Sequence, residues 1–431
     1  MSNSVAVGEL RVGMFVHLDL GWMSHPFPLS SFKISSPDQI ETIRGLGLKA
    51  LRWAPEKSDP IVAPAPPVVV PAATPAPAVT AADLAEQAAV QARQAQLAQQ
   101  RQATQLCEAQ YAEASGAWRE ALGRVAADPA RARAETESLT QALLDKMLGA
   151  HEMCIRVLNT AAGDSAGAHA MNVAVISLLM GRSFGLAAQE MLDLGVGAML
   201  HDVGKLDLAE RLRHADESFS STQLHAYREH VALGVTQARR MALSPGATLV
   251  LAQHHEHADG SGFPLQLAGE RICTGARIVA LVNRFDNLCN PSVLARAVTP
   301  HEALSAMFAQ HRSRFDAAML NGFIRMMGVY PAGSVVQLTD DRYAIVMTVN
   351  SSRPLKPRVL VHDARVPAAQ ALHLNLESTP DLGIRRSVRA AQLPAAALEY
   401  LAPRPRVLYY FEAAPSGAAA TAAPLAAGGF G

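Results

Sequence analysis

The stretch MLDLGVGAMLHDVGK, residues 191–205, places an adjacent His201-Asp202 at the end of an apolar run. A second stretch, HHEHADGSGFP, residues 254–264, opens with an adjacent His254-His255 at the end of another apolar run. His169 precedes the first stretch, His230 lies between the two, and Asn283 and Asp286 follow the second. Imidazoles and carboxylates are the ligands of a transition-metal cluster, and unpaired polar groups on apolar segments are costly. Successive residues of a helix project about 100° apart, so His201 and Asp202 can face two neighbouring metals with Asp202 as the bridge. Two metals about 3.5–4 Å apart suit phosphoester hydrolysis, because they clamp the phosphate and steady the leaving oxygen. Lys205, one turn after His201, is placed to neutralise a phosphate. A lone histidine on an apolar helix is ordinarily a satisfied core residue, and His225 and His301 read that way.

The segments around these residues read as helices. Ala168 to Phe184 is one, ended by Gly185, and Glu190 to Leu200 is another, whose Gly195, Gly197 and Ala198 allow close packing. Ser244-Pro245 pairs an N-cap with a first-turn proline and starts a helix that reaches the His pair. Thr274 begins another, with Ile278, Val279, Leu281, Val282 and Phe285 inward. Thr299-Pro300-His301-Glu302 is a capping box starting a helix through about Met307. Residues 161–333 are therefore expected to form an all-α core domain. Beyond Tyr330 the period changes to two, and Val335–Leu338, Tyr343–Val349, Arg358–Val361 and Val407–Phe411 read as strands of a β-rich extension over 334–412.

Ahead of the core, residues 1–54 read as a small α+β module. Strand-like alternation runs from Leu10 to Leu20, a helix spans Ser36 to Leu46, and Trp22, Pro26, Phe27, Phe32 and Ile34 form an apolar face. Residues 55–80 are Pro, Ala and Val, an extended spacer. Residues 81–160 turn to strong helix formers, with a long helix over 81–125 that can pair with a second copy and a further helix from Thr136 to Leu158. The Ala- and Gly-rich tail, 413–431, has too little apolar bulk to fold. The fold class is multidomain: an α+β module, an all-α core and a β-rich extension.

Composition excludes several functions. The 431 residues carry 38 basic and 38 acidic side chains, so no net charge draws the chain to nucleic acid or a membrane surface. The four cysteines are scattered without a CxxC pair, as reduced thiols are. No charged leader with an apolar core opens the chain, and no apolar run reaches the roughly 18 residues of a membrane span. A soluble, cytoplasmic protein is the expectation.

His169, His201-Asp202-Val203-Gly204-Lys205, His230 with Gly234, and His254-His255-Glu256 through Asp259-Gly260-Ser261-Gly262-Phe263-Pro264 together resemble the HD-GYP family. That family is a branch of the HD metal-dependent phosphohydrolases that hydrolyses cyclic di-GMP. Residues 1–54 are similar to a domain often found ahead of HD-GYP. The resemblance implies that His169, His201 and Asp202 hold one metal, and that His230, His254, His255 and the shared Asp202 hold a second. It implies Lys205 on the scissile phosphate, with Asp202, as the catalytic pair. Gly262, Phe263, Pro264 and Arg296 become candidates for substrate binding. Iron or manganese would be the metals, cyclic di-GMP the substrate, and diguanylate cyclases (GGDEF proteins) possible partners. Three features depart from the pattern: Phe263 replaces the signature Tyr, Asn283 stands where an aspartate ligand belongs, and the Arg/Tyr-rich segment after it reads NPSVLARAV. An active phosphodiesterase producing pGpG and in turn GMP is the first expectation. A degenerate nucleotide sensor or protein scaffold is the second, and a phosphohydrolase for another nucleotide the third.

Overall fold

The computed structural model describes residues 4–20, 25, 27, 31–59, 81–148, 152–158, 165–214 and 218–414. Trp22, Pro26, most of the Pro/Ala-rich spacer and nearly all of the tail lie outside those residues. The chain forms two compact units, residues 1–142 with 365–372, and residues 143–364 with 373–431.

In the first unit, β1 (Ser4–Ala6), β2 (Phe15–His17), β3 (Ser31–Lys33) and β4 (Ala50–Trp53) make an antiparallel sheet ordered β1-β4-β2-β3. Helix α1 (Pro37–Gly45) starts with proline in its first turn and stops at Gly47, whose φ of +73° suits glycine. Val16, Leu18, Phe27, Ile34, Ile40, Ile43 and Leu51 form the core. The strand is shorter than Leu10–Leu20, because Arg11 to Gly13 make a turn rather than continue the ladder.

Helix α2 (Ala81–Arg124) follows, and a turn leads into α3 (Pro129–Leu148). Arg124 Nη1 reaches back to Glu135 at 2.9 Å across that turn. Residues 86–96 are exposed, whereas Cys107, Tyr111, Ala114 and Trp118 are buried. Helix α2 is thus solvated in one half and packed in the other. The loop 365–372 belongs to this unit: Gln100 and Arg101 donate to the carbonyls of Ala371 and Ala369.

The second unit contains β5 (Met153–Val157), α4 (Ser165–Ser183), α5 (Ala188–Leu200), α6 (Ser221–Arg228), α7 (His230–Arg240), α8 (Pro245–Gln253), α9 (Thr274–Cys289), α10 (Pro300–Gln310) and α11 (Ala317–Met327). Then come β6 (Val335–Leu338), β7 (Tyr343–Asn350), β8 (Arg358–Val361), β9 (Leu374–Asn375), β10 (Ile384–Ser387), α12 (Ala395–Leu401) and β11 (Tyr409–Ala413). The expected caps are present, with Ser244 Oγ accepting from Ala247 N and Thr299 Oγ1 from Glu302 N.

One expectation fails. The helix predicted through Leu158 ends at Leu148, and Met153–Val157 is a strand between β7 and β11. Its pairing is non-local, Ile155 opposite both Val349 and Phe411, and all five residues are buried. Tertiary pairing overrides local helix preference there. The β-rich extension is therefore completed by a strand that precedes the helical core.

Helix α4 is buried on nearly every side, and α9 buries Ile278, Val279, Leu281, Val282 and Phe285 as expected. Close approaches set the helix ends. A Cβ on Gly197 of α5 would lie 2.5 Å from Val250 Cβ of α8, so the two helices meet where only hydrogen fits. A Cβ on Gly204 would lie 2.0 Å from the His230 carbonyl oxygen, which seats the turn after α5 directly on α7.

Candidate metal centre

Those two contacts bring the ends of α5 and α8 and the start of α7 to one point. His201 caps α5, His254 caps α8 and His230 opens α7. Each histidine places Nδ1 2.7 Å from a carbonyl three residues back, that of Ala198, Leu251 or Tyr227. These carbonyls lie in the last turns of α5, α8 and α6, where intrahelical donors run out. A carbonyl only accepts, so each Nδ1 carries the proton and each Nε2 presents a lone pair. His169, on α4, is fixed in the same sense by Asp286, whose Oδ2 lies 2.6 Å from Nδ1.

The free Nε2 atoms converge on Asp202. Its Oδ2 faces His201 Nε2 at 3.4 Å and His169 Nε2 at 3.8 Å. Its Oδ1 faces His230 Nε2 at 3.6 Å and His254 Nε2 at 3.9 Å. Two ligand sets result, His169–His201–Asp202 and Asp202–His230–His254–His255, each with its ligand atoms within 4.8 Å of one another. One carboxylate is split between them, oxygen by oxygen.

The donor set fits divalent metal. Asp202 Oδ1 and the Nε2 atoms of His230, His254 and His255 are buried without a hydrogen-bond partner among the described residues. His169 Nε2 and His201 Nε2 sit 3.1 Å apart. About 3 Å is the spacing of neighbouring ligands each about 2.1 Å from one ion.

Electrostatics point the same way. Burial pushes the His201 imidazole down to about 4 and holds His254 and His255 well below the ordinary histidine range, so all three are neutral, as ligands must be. Burial alone would raise the Asp202 carboxyl, but Lys205 and the surrounding histidines hold it well below the usual value. Lys205 Nζ pairs with Asp202 Oδ2 at 2.6 Å, and Tyr227 adds a hydrogen bond and a ring face 5.3 Å from the ammonium. Burial opposes that charge, yet Asp202 and Tyr227 push the ammonium's pKa up. Tyr227 is a site residue that the sequence reading missed, and no pattern in the chain marks it.

The loop after His255 is built around Glu256, 1% exposed, which accepts from Leu265 N and Leu267 N. Gly262 lets it close, since a Cβ there would stand 2.4 Å from His257 N. Phe263 stacks on His255 with centroids 4.5 Å apart, and Arg228 lies over its ring at 5.0 Å. Pro264 follows through a cis peptide bond. Asn283 is buried on α9 and its Oδ1 accepts from Asn287 Nδ2 at 2.5 Å. Arg296 is exposed on the short turn Leu294–Arg296 after α9. His225 is not a core histidine: it is exposed and paired with Glu229. His301 gives its Nδ1 proton to the Val329 carbonyl and stacks on Tyr330.

Helices that gather histidines around one shared aspartate define an HD-type metal-dependent phosphohydrolase domain. Comparison with known families agrees, since residues 152–319 match the HD domain and residues 2–136 match a domain of unknown function, DUF3391. The chain thus carries a DUF3391 domain followed by an HD domain. The DUF3391 match runs past residue 54 through α2. A cyclic di-GMP phosphodiesterase of Pseudomonas aeruginosa is 25% identical over 84% of this chain and 85% of its own length. A cyclic di-GMP phosphodiesterase response regulator of Xanthomonas campestris is 30% identical over 33% of this chain and 38% of its own. A 3'3'-cGAMP-specific phosphodiesterase of Vibrio cholerae is 29% identical over 32% and 27%. No helix among the described residues is long and apolar enough to cross a membrane.

Proposed function

We propose that this chain is a metal-dependent phosphodiesterase that opens cyclic di-GMP to pGpG, with GMP as a further product. The observation that carries the proposal is the division of Asp202, one oxygen toward His169 and His201, the other toward His230 and His254. Such a pair of ligand sets suits two transition metals, iron or manganese, which would supply Lewis-acid polarisation of the phosphate and an activated water. His169, His201 and Asp202 would hold the first, and Asp202, His230, His254 and His255 the second. Asn283 is the candidate for an added neutral ligand to the first.

Around these metals the chain's own groups have distinct tasks. Lys205, kept protonated beside Asp202 Oδ2, steadies negative charge on the phosphate. Tyr227 holds that ammonium in place. Gly262 and Pro264 shape the loop, and Phe263 covers His255 and offers an apolar face to a base. Arg296 is the further candidate for the nucleotide. Metal content and product analysis on one anaerobically prepared sample test the proposal. Two metals per chain with pGpG formed supports it, and a metal-loaded protein that leaves cyclic di-GMP intact overturns it.

A second reading is a sensor or scaffold that binds nucleotide without turnover, engages a diguanylate cyclase, and pairs with a second copy along α2. Asn283 and Phe263 favour it, since one brings no charge and the other no hydroxyl. The exposed half of α2 favours the pairing. A third is hydrolysis of another nucleotide, which the similarity to the cGAMP-specific relative makes worth screening.

A further inference from the structure

One face of the extension sheet carries two rows of polar side chains. Tyr410, Arg156, Thr348, Arg358 and Asn375 stand opposite one another on β11, β5, β7, β8 and β9. Residues paired directly across antiparallel strands point to the same side, so these five share a face. Glu412, Cys154 and Asn350 pair in the next row, two residues along and therefore on the same face. The rows frame a cleft of about 40 Å³ lined by Thr348, Asn350, Lys356, Arg358, Asn375 and Glu377, with Cys154 also in its wall. One water needs about 10–15 Å³ of such space, so the cleft admits roughly three water-sized groups. That is the scale of a tetrahedral oxyanion, not of a nucleobase.

The carboxylates of this face each hold a cation. Glu412 takes Arg156 through both oxygens, each at 2.8 Å, and Glu152 and Glu377 share Arg353. Asn350 spends Nδ2 on Glu152 and Oδ1 on Ser352 N. Half-buried Arg358 and exposed Lys356 line the same cleft with no ion pair or side-chain acceptor among the described residues. Asn375 Oδ1 accepts from Glu377 N, which leaves its Nδ2 as an uncommitted donor. The Thr348 hydroxyl, on a residue 2% exposed, also lacks a partner among the described residues. Arg156, Arg353, Lys356 and Arg358 thus face Glu152, Glu377 and Glu412, and the cleft is cationic. Cys154 adds no negative charge, because burial pushes its thiol up to about 11.

We infer that this cleft is a phosphate-group site, apart from the two metal ligand sets, in which Arg358 and Lys356 supply charge and Asn375 Nδ2 and Thr348 Oγ1 supply neutral donors. A planar guanidinium offers paired N–H groups to two oxygens of one phosphate, and an ammonium adds a compact charge. The row between Thr348 and Asn375 gives Arg358 a fixed seat, so less freedom is lost when an anion meets it. The occupant is free phosphate, or the phosphate of a mononucleotide whose base stays outside the cleft. The site does not depend on the hydrolysis proposed above, because its test reads binding rather than turnover.

The test is equilibrium dialysis of the full metal-loaded chain against radiolabelled inorganic phosphate at fixed ionic strength, with metal content measured alongside. Arg358→Met should keep its metals and bind phosphate at the cleft at least about tenfold more weakly, the loss expected for hydrogen bonds from a charged group. Lys356→Met should weaken binding in the same direction, and because Lys356 is exposed it decides the matter if Arg358→Met does not fold. Arg325→Met makes the same charge change at an exposed position of α11 and should leave binding unchanged. For the label that the cleft variants lose, GMP that displaces it as well as phosphate does assigns the site to a nucleotide phosphate. GMP that displaces it less well assigns it to the free anion. Equal binding in wild type, Arg358→Met and Lys356→Met, or an equal loss in Arg325→Met, overturns the site.

Discussion

Asp286 grips His169 through a 2.6 Å contact between Oδ2 and Nδ1, and its other oxygen accepts from Asn172 Nδ2 and Asn290 Nδ2. Those two asparagines also bind the Val407 backbone, and Asn172 Oδ1 accepts from Tyr409 N. The C-terminal strand is therefore tied to the imidazole of a candidate metal ligand through one buried carboxylate. A carboxylate behind a ligating histidine fixes its tautomer and raises its basicity.

Asp286→Asn should keep the shape of that network but weaken the hold on His169. The expected loss is about 10–100-fold in affinity for the first metal, with the second retained. Metal titration followed by elemental analysis checks this; equal loss of both metals would place the effect elsewhere.

Lys205→Met should keep both metals, since the ammonium is not a ligand, while turnover falls by about 10²–10³-fold, the typical effect of removing one charge-stabilising donor. Asp202→Ala should instead lose metal and turnover together and leave the first unit folded. If Lys205→Met also empties the centre, the lysine acts by holding Asp202 rather than by meeting the phosphate.

Asn283→Asp places a second carboxylate one turn from Asp286. Without metal the two like charges should lower Tm, and with metal the added charge should tighten the first site by about tenfold. Unchanged affinity would mean that position 283 is not a ligand.

Phe263→Tyr keeps the ring that stacks on His255, so metal content should be unchanged and Tm nearly so. Phe263→Ala should lose the stacking contribution, about 0.5–1.5 kcal/mol beyond the lost burial, and be visibly less stable. Equal Tm values for the two variants would show that the stack contributes nothing.

His373, near Arg156 and Arg358, is pushed down to about 3, by burial first and then by the two guanidiniums. Between the ordinary histidine value of 6.5 and that value, the unfolded chain binds more protons than the folded one. The stabilisation is complete above the window and is lost as pH falls through it. His373→Gln should therefore flatten the dependence of the urea midpoint on pH between about pH 6.5 and about pH 5. Parallel curves for variant and wild type would show that this imidazole is not the source.

Much of the centre was legible in the chain. Adjacent His201-Asp202 and His254-His255 at the ends of apolar runs mark candidate ligands, because helix ends hold side chains at fixed angles and burial makes unpaired imidazoles costly. Tyr227 was not legible, since a tyrosine before a histidine carries no pattern of its own. The strand Met153–Val157 was also missed, because its partners Val349 and Phe411 lie far along the chain. The loop 365–372 was missed for the same reason.

The sequence by itself determined the helices that carry the candidate ligands and their caps, because these follow from local periodicity and residue chemistry. Only the tertiary structure decided how Asp202 divides its oxygens and which carbonyls set the histidine tautomers. Those outcomes depend on close approaches, Gly204 on His230 and Gly197 on Val250, that join residues distant in the chain. Local pattern selects the groups; packing selects which of their atoms face one another.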